Sequence, residues 1–358
     1  MEIARLSVRN VRVIECADLE LDGAPGCIVG PNGSGKTSLL EAVHLLSTGR
    51  SFRTRHGRRV LRDGAAVLRV EARLRRGQGA PGRAAFAREG ERSRLVLDGE
   101  RVRSASEAAR ALPVTVLRPE SHRLIEGGSR ERRALLDWTL FHVEQGYVDA
   151  YRRFRRALEQ RNRALREGDR RHLRVWTETL ASSGEQLEAL REPHARAYVE
   201  RLRERLATVL DRPVEVTYAR GWVAERDLEA CLGEHLEQDL RAGATGIGPH
   251  RADLRLRVGA FEARQVLSRG EAKLLAGAMV GSQVEYVAAV SGEAPLLLLD
   301  DLTSELDAMT SQRLLDLVGS LPGQVILTAI GPLELDLSVL SQVRVFHVER
   351  GRIRDPMG

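Results

Sequence analysis

The chain is 358 residues long, 42% hydrophobic and 30% charged, with a formal net charge of +6; this fits about two or three globular domains and excludes a mainly disordered polymer. No apolar run approaches the roughly 18 residues of a membrane helix, and the opening MEIARLSVRNVRVIE is charged throughout, so neither a membrane span nor a secretory leader is expected. Cys16, Cys27 and Cys231 are odd in number and far apart, fitting neither a disulfide frame nor a zinc site, and a cytoplasmic protein is expected.

In chain order, alternating and β-branched residues over 3–20 predict a strand pair. Residues 27–29 form a short apolar strand ending at Gly30, followed by helical spacing over 37–48 closed by Gly49. Strand-like runs follow at 66–74 and 94–97, with Asp98 and Gly99 as a hairpin turn. Over 130–210 Gly and Pro are scarce and apolar residues recur every three or four positions. This predicts a helical hairpin broken at Gly168 and Asp169, each arm roughly 55 Å long, with a kink at Pro193. From 244 the α/β pattern returns: a strand at 254–258, a helix at 270–290, a strand at 296–299, a helix near 308–319, and strands at 324–328 and 343–348. The expected organisation is one α/β domain built from 1–118 and 245–358, with 119–244 inserted as a helical hairpin domain.

Charge is segregated along this pattern. Residues 50–76 hold ten Arg against Asp63 and Glu71, a local +8; residues 152–174 hold ten Arg against Glu159, Glu167 and Asp169, a local +7; the remainder carries −9. Two basic islands on an acidic body suggest a polyanion partner. Arg50, Arg53, Arg55, Arg58 and Arg59 cluster around Phe52 and His56. Arg152, Arg153, Arg155, Arg156, Arg161 and Arg163 are expected to line the first helical arm. No base-reading motif occurs, so contact with DNA is expected at the backbone, without sequence specificity. For the arm, intrahelical pairing with Glu159 or Glu167 is the other reading. Only Lys36 and Lys273 among the 56 basic residues are lysine, which suggests two places needing a compact point charge.

Gly30, Pro31, Asn32, Gly33, Ser34, Gly35, Lys36 and Thr37 match G-x-x-x-x-G-K-[ST] between a strand and a helix. Backbone N–H groups of 32–37 would cradle phosphate oxygens, Lys36 would reach the terminal phosphates and Thr37 would offer its hydroxyl to Mg²⁺, so ATP or GTP is the expected ligand. The strand at 296–299 delivers Asp300 and Asp301 at its C-terminal edge: Asp300 as the metal-side carboxylate, Asp301 to polarise the attacking water. The catalytic set is thus Lys36, Asp300 and Asp301, and the Mg²⁺ set Thr37 and Asp300. The nine histidines show no paired metal spacing.

The segment from Asp300 to Asp307 resembles the Walker B and D-loop of ABC-type ATPases, and Leu267, Ser268, Arg269, Gly270 and Glu271 resemble their signature motif. In such ATPases this serine touches the ATP held by the other protomer, so Ser268 and Gly270 join the ATP set and a head-to-tail homodimer is implied. Leu6 to Arg12 is similar to the opening of SMC-type repair ATPases. Gly49 to Arg53, Pro119-Glu120, Leu124-Ile125, Gly127-Gly128, Arg132-Arg133, Asp137, Gly248 to Arg251 with Asp253, and Ser304 to Asp307 resemble motifs of the RecF recombination mediator family. The resemblance implies an α/β P-loop ABC-type ATPase head (SMC-like) with an inserted α-helical arm domain. It also implies ATP with Mg²⁺, binding to double-stranded, gapped or junction DNA, slow DNA-stimulated hydrolysis, and partnership with RecO and RecR in loading RecA. Ser129, Leu135, Arg269 and Glu271 depart from the family pattern. Residues 328–330 carry no switch histidine and no Q-loop glutamine is evident, which predicts slow turnover with ATP as a timer of dimer lifetime. The readings set against this are a transporter's nucleotide-binding subunit, a small-molecule P-loop kinase, and a DNA clamp in which ATP is structural.

Overall fold

The computed structural model describes residues 1–76, 81–301, 306–330 and 336–354. They divide into two compact units, Met1–Ser121 with Arg269–Gly358, and His122–Ser268.

The strands run in chain order as β1 (Glu2–Val11), β2 (Ile14–Glu20), β3 (Gly26–Val29), β4 (Val67–Arg75), β5 (Gly82–Glu89), β6 (Arg92–Leu97), β7 (Glu100–Arg101), β8 (Val114–Leu117), β9 (Glu215–Ala219), β10 (Asp253–Val258), β11 (Phe261–Glu262), β12 (Leu296–Leu299), β13 (Val325–Ala329), β14 (Arg344–Glu349) and β15 (Arg352–Arg354). The first unit holds a twelve-stranded sheet in the order β7-β6-β5-β4-β1-β2-β15-β14-β3-β13-β12-β8. Its two halves follow from side-chain pattern. β3, β12 and β13 are buried at every position and pair in parallel with their neighbours, as strands covered on both faces do. β4 alternates buried and exposed positions and pairs antiparallel with β1 and β5, keeping one wet face. The helix Lys36–Thr48 packs Leu39, Leu40, Val43 and Leu46 into a core shared with Leu6, Val8, Leu68, Val70, Leu298 and Ile326.

The helix Arg269–Ser291 is, by length and composition alone, apolar enough to cross a membrane, contrary to the expectation from runs of residues. Its buried stretch includes Leu274, Leu275, Met279 and Val284, so it is a core helix surrounded by its own unit.

The second unit carries the helices Ser129–Val143, Tyr147–Glu167 and Arg170–Val209. Gly168, at φ 67, turns the last two against each other, and Arg170–Val209 runs unbroken through Pro193. The expected first arm is split at 144–146, where Glu144 leaves the helix in an extended conformation and its Oε1 accepts from the Gly146 N–H at 3.1 Å. Residues 245–268, expected in the α/β domain, belong here: β10 pairs antiparallel with β9, Leu254 facing Tyr218, so this unit also contains a three-stranded sheet.

Candidate functional site

β3, β13 and β12 are adjacent and parallel, so their C-terminal ends share one edge, the usual place for a ligand in such sheets. The loop Gly30–Gly35 leaves β3 there. A Cβ on Gly30 would overlap the Val348 carbonyl, and Gly35 has φ 115 with Ile14 against it, so both positions require glycine. The Gly351 N–H donates to the Ser34 carbonyl at 3.0 Å, tying the loop to the β14–β15 turn.

Lys36 is buried and its Nζ donates to the carbonyls of Gly30 at 2.7 Å and Pro31 at 3.1 Å. Burial lowers its pKa, opposed by Asp301 and Asp300. Thr37 Oγ1 donates to Asp300 Oδ1 at 2.9 Å, and Thr328 Oγ1, from β13, donates to the same oxygen at 3.0 Å. The Asp301 N–H donates to Thr328 Oγ1 at 2.7 Å. Burial raises the Asp300 carboxyl, the two threonine hydroxyls lower it and Asp301 raises it again. Asp301 sits at φ 55, and its Oδ1 and the Ser34 hydroxyl are buried without a hydrogen-bond partner. A buried donor in the phosphate loop and an idle carboxylate oxygen beside Asp300 fit a phosphate and a water or hydrated cation. Among the described residues no three His, Cys, Asp or Glu side chains gather as a metal site. One carboxylate plus one hydroxyl suits Mg²⁺, which keeps waters and phosphate oxygens around it.

The sequence matches the RecF/RecN/SMC N terminal domain family over residues 2–354. It is 37% identical over 359 residues to the DNA replication and repair protein RecF of Thioalkalivibrio sulfidiphilus, covering 99% of each chain. It is 41% identical over 367 residues to the protein of the same name in Xanthomonas euvesicatoria, covering 99% of this chain and 98% of the relative. The chain belongs to the RecF family. A solved structure described as the recombination mediator protein RecF-ATPrS in the RecFOR pathway shares the fold, with a TM-score of 0.83 at 24% identity over 99% of this chain and 98% of that one. The α/β SMC-like ATPase fold is therefore that of the family, and the transporter reading is not favoured.

The other residues singled out from sequence fall as follows in this RecF-family chain. Ser268 precedes the helix Arg269–Ser291 and Gly270 lies in its first turn, facing Thr310. Lys273, one turn on, lines a small cavity with Arg118, Asp300 and Asp301. Ser304 and Glu305 lie outside the described residues. Arg50, Arg55, Arg58 and Arg59 are exposed, with Arg58 paired to Glu91 at 2.9 Å. Arg53 turns to Glu41 at 3.7 Å. On the arm, Arg152, Arg153, Arg155 and Arg156 are exposed, Arg152 and Arg155 pairing with Asp149 and Glu159 within their own helix. Arg161 is not on the surface: it is fully buried, donating to Asp239 and Thr245 at 2.7 Å each. Arg163 pairs with Glu167 at 2.8 Å. His250 packs as a structural residue, its Nε2 3.0 Å from the Thr245 carbonyl and its ring against Phe154.

Sequence reasoning missed Glu41. It is fully buried on the phosphate-loop helix, accepting two hydrogen bonds from Arg12, at 2.9 and 2.8 Å, and one from Ser51. Arg118 completes the join, donating to the Phe52 carbonyl at 3.2 Å and lying 5.6 Å from the Phe52 ring centroid. The motifs around Arg12 and Ser51 are thus fastened to the helix that follows the phosphate loop. A Glu in the run Leu39, Leu40, Glu41, Ala42, Val43 was the available signal, since an acid amid buried apolar residues needs a partner.

Proposed function

We propose that this chain is an ATP-dependent DNA-binding protein of recombinational repair, and a slow, DNA-stimulated ATPase of the cytoplasm. It dimerises head to tail around ATP, binds gapped or junction DNA without sequence specificity, and acts with RecO and RecR in loading RecA. The observation that carries this reading is the Thr37–Asp300–Thr328 hydrogen-bonded cluster beside the phosphate loop, with Asp301 Oδ1 left unengaged. The names of the relatives support the repair context, and the description of the similar structure as RecF-ATPrS supports the nucleotide.

Backbone N–H groups of 32–37 bind the phosphate oxygens. Lys36 exchanges the carbonyls of Gly30 and Pro31 for the terminal phosphates. Thr37 and Asp300 would hold Mg²⁺, which when bound neutralises charge on those phosphates. Asp301 orients the attacking water and takes up its proton at the idle oxygen. Ser268 and Gly270 contact ATP on the other protomer, so nucleotide joins the dimer and its hydrolysis releases it. Arg50, Arg55, Arg59, Arg153 and Arg156, none of them ion-paired among the described residues, supply phosphate contacts to DNA.

Titration with a fluorescent ATP analogue tests the site. Lys36→Met is expected to abolish binding. Asp301→Asn is expected to keep binding and lower hydrolysis by about 10²–10⁴-fold. Unchanged binding by Lys36→Met contradicts the assignment.

A further inference from the structure

We propose that the wet face of the antiparallel half of the head sheet, across β1, β4, β5 and β6, is a platform for the sugar–phosphate backbones of duplex DNA. This rests on the DNA-binding reading above and adds where a duplex lies. β4 buries Leu68, Val70, Ala72 and Leu74 and exposes Arg69, Glu71, Arg73 and Arg75. Register sets Arg5 opposite Arg73, and Arg73 opposite Arg83. It also sets Arg9 opposite Arg69, Arg69 opposite Ala87, and Ala87 opposite Arg94. Two arginine rows therefore cross the strands, Arg5–Arg73–Arg83 and Arg9–Arg69–Arg94. Between them runs a row of Ser7, Glu71, Ala85 and Val96.

The inner members are held by their neighbours, Arg5 by Glu20 at 3.1 Å and Arg9 by Asp18 at 2.7 Å. Arg69, Arg73, Arg83 and Arg94 are exposed and have no ion pair among the described residues. Like charges directly opposite on neighbouring strands destabilise a sheet, and among the described residues neither Arg73 nor Arg83 is in an ion pair that would relieve this. An external anion does. The rows lie four residues apart on β4, about 13 Å at the usual strand rise, close to the roughly 12 Å width of a major groove. A trough of about 380 Å³ runs along the first row, lined by Arg5, Arg73 and Arg83 together with Ser7, Glu71 and Ala85 of the middle row. Phosphates on either side of the groove meet the two rows; Glu71 lies under the groove between them, Glu89 sits on the same face beyond Ala87, and Asp18 and Glu20 at the β2 border hold Arg9 and Arg5. Guanidinium forks suit phosphate oxygens, and such contacts carry no base sequence.

The test is anisotropy of a fluorescein-labelled blunt duplex with ATP across a salt series. It compares the unaltered chain, Arg73→Glu with Arg83→Glu, and the milder Arg73→Ala with Arg83→Ala. Both double variants are expected to bind about tenfold or more weakly, with a log–log salt slope shallower by about 2. ATP binding should be unchanged, and the alanine pair should unfold at the same or a higher temperature because opposed like charges are gone. Unaltered affinity and slope in both variants, with the parent chain still binding duplex, overturns the platform and leaves the DNA reading standing. Failure of the parent chain to bind duplex at low salt overturns both.

Discussion

Arg161 and Asp239 show how a charged residue can be core. Their ion pair of 2.7 Å is 0% and 1% exposed, with Thr245 and Thr177 also accepting from the guanidinium. Removing one partner of such a pair strands a buried charge, so Asp239→Ala is expected to destabilise the second unit by about 3–5 kcal/mol in chemical denaturation. The signal for this was in the sequence. Arg161 stands four residues after Ala157 and seven after Phe154, on the apolar stripe that ends at Leu165, but the abundance of Arg in 152–174 masked it. His250 makes a second residue-scale prediction. Burial, first among its causes, lowers its pKa to about 4, against about 6.5 in an unfolded chain. Between those values the unfolded state binds the extra proton, so its contribution to stability is full above about 6.5 and is lost as pH falls toward about 4. Unfolding of His250→Gln, which keeps a donor for Thr245, should show a shallower loss of stability over that window than the parent chain. Equal slopes would mean that His250 is already charged in the fold.

At the scale of elements, those carrying chemistry were the most legible. The phosphate loop, its helix and the apolar strand before Asp300 have spacing dictated by ligand geometry, and the structure brings Thr37 and Asp300 to hydrogen-bond distance. β5 was not legible. Its run Gly82, Arg83, Ala84, Ala85, Phe86, Ala87 has weak strand propensity and is set by pairing on both sides, with β4 and β6, which is tertiary context. Residues 245–268 were assigned to the wrong unit for a similar reason: β10 alternates like any strand, and only its partner β9 decides where it packs. The loop itself gives an element-scale prediction. Gly35→Ala places a side chain at φ 115 against Ile14, costing about 1–3 kcal/mol of local strain. ATP affinity should fall by about tenfold or more, with the rest of the chain still folded by circular dichroism; undiminished affinity would show that the loop relaxes without glycine.

For the whole molecule, the central claim is that ATP, through a dimer, governs the grip on DNA. Segregated charge points to one ligand and the family's ATPase fold to the other, but neither alone couples them. Within one chain, Lys36, Thr37, Asp300 and Asp301 lie at one sheet edge, while Ser268 and Gly270 begin a different helix. Residues 328–330 carry no histidine, and Thr328 donates to Asp300 there instead. The most direct measurement is the anisotropy of a fluorescent gapped duplex titrated with the protein in ATP, in ADP and without nucleotide, beside Lys36→Met. Tighter binding in ATP alone, with the sedimentation coefficient of a dimer and loss of both in Lys36→Met, is the predicted result. Equal binding in all three conditions, or ATP-tightened binding by a monomer, would contradict the account.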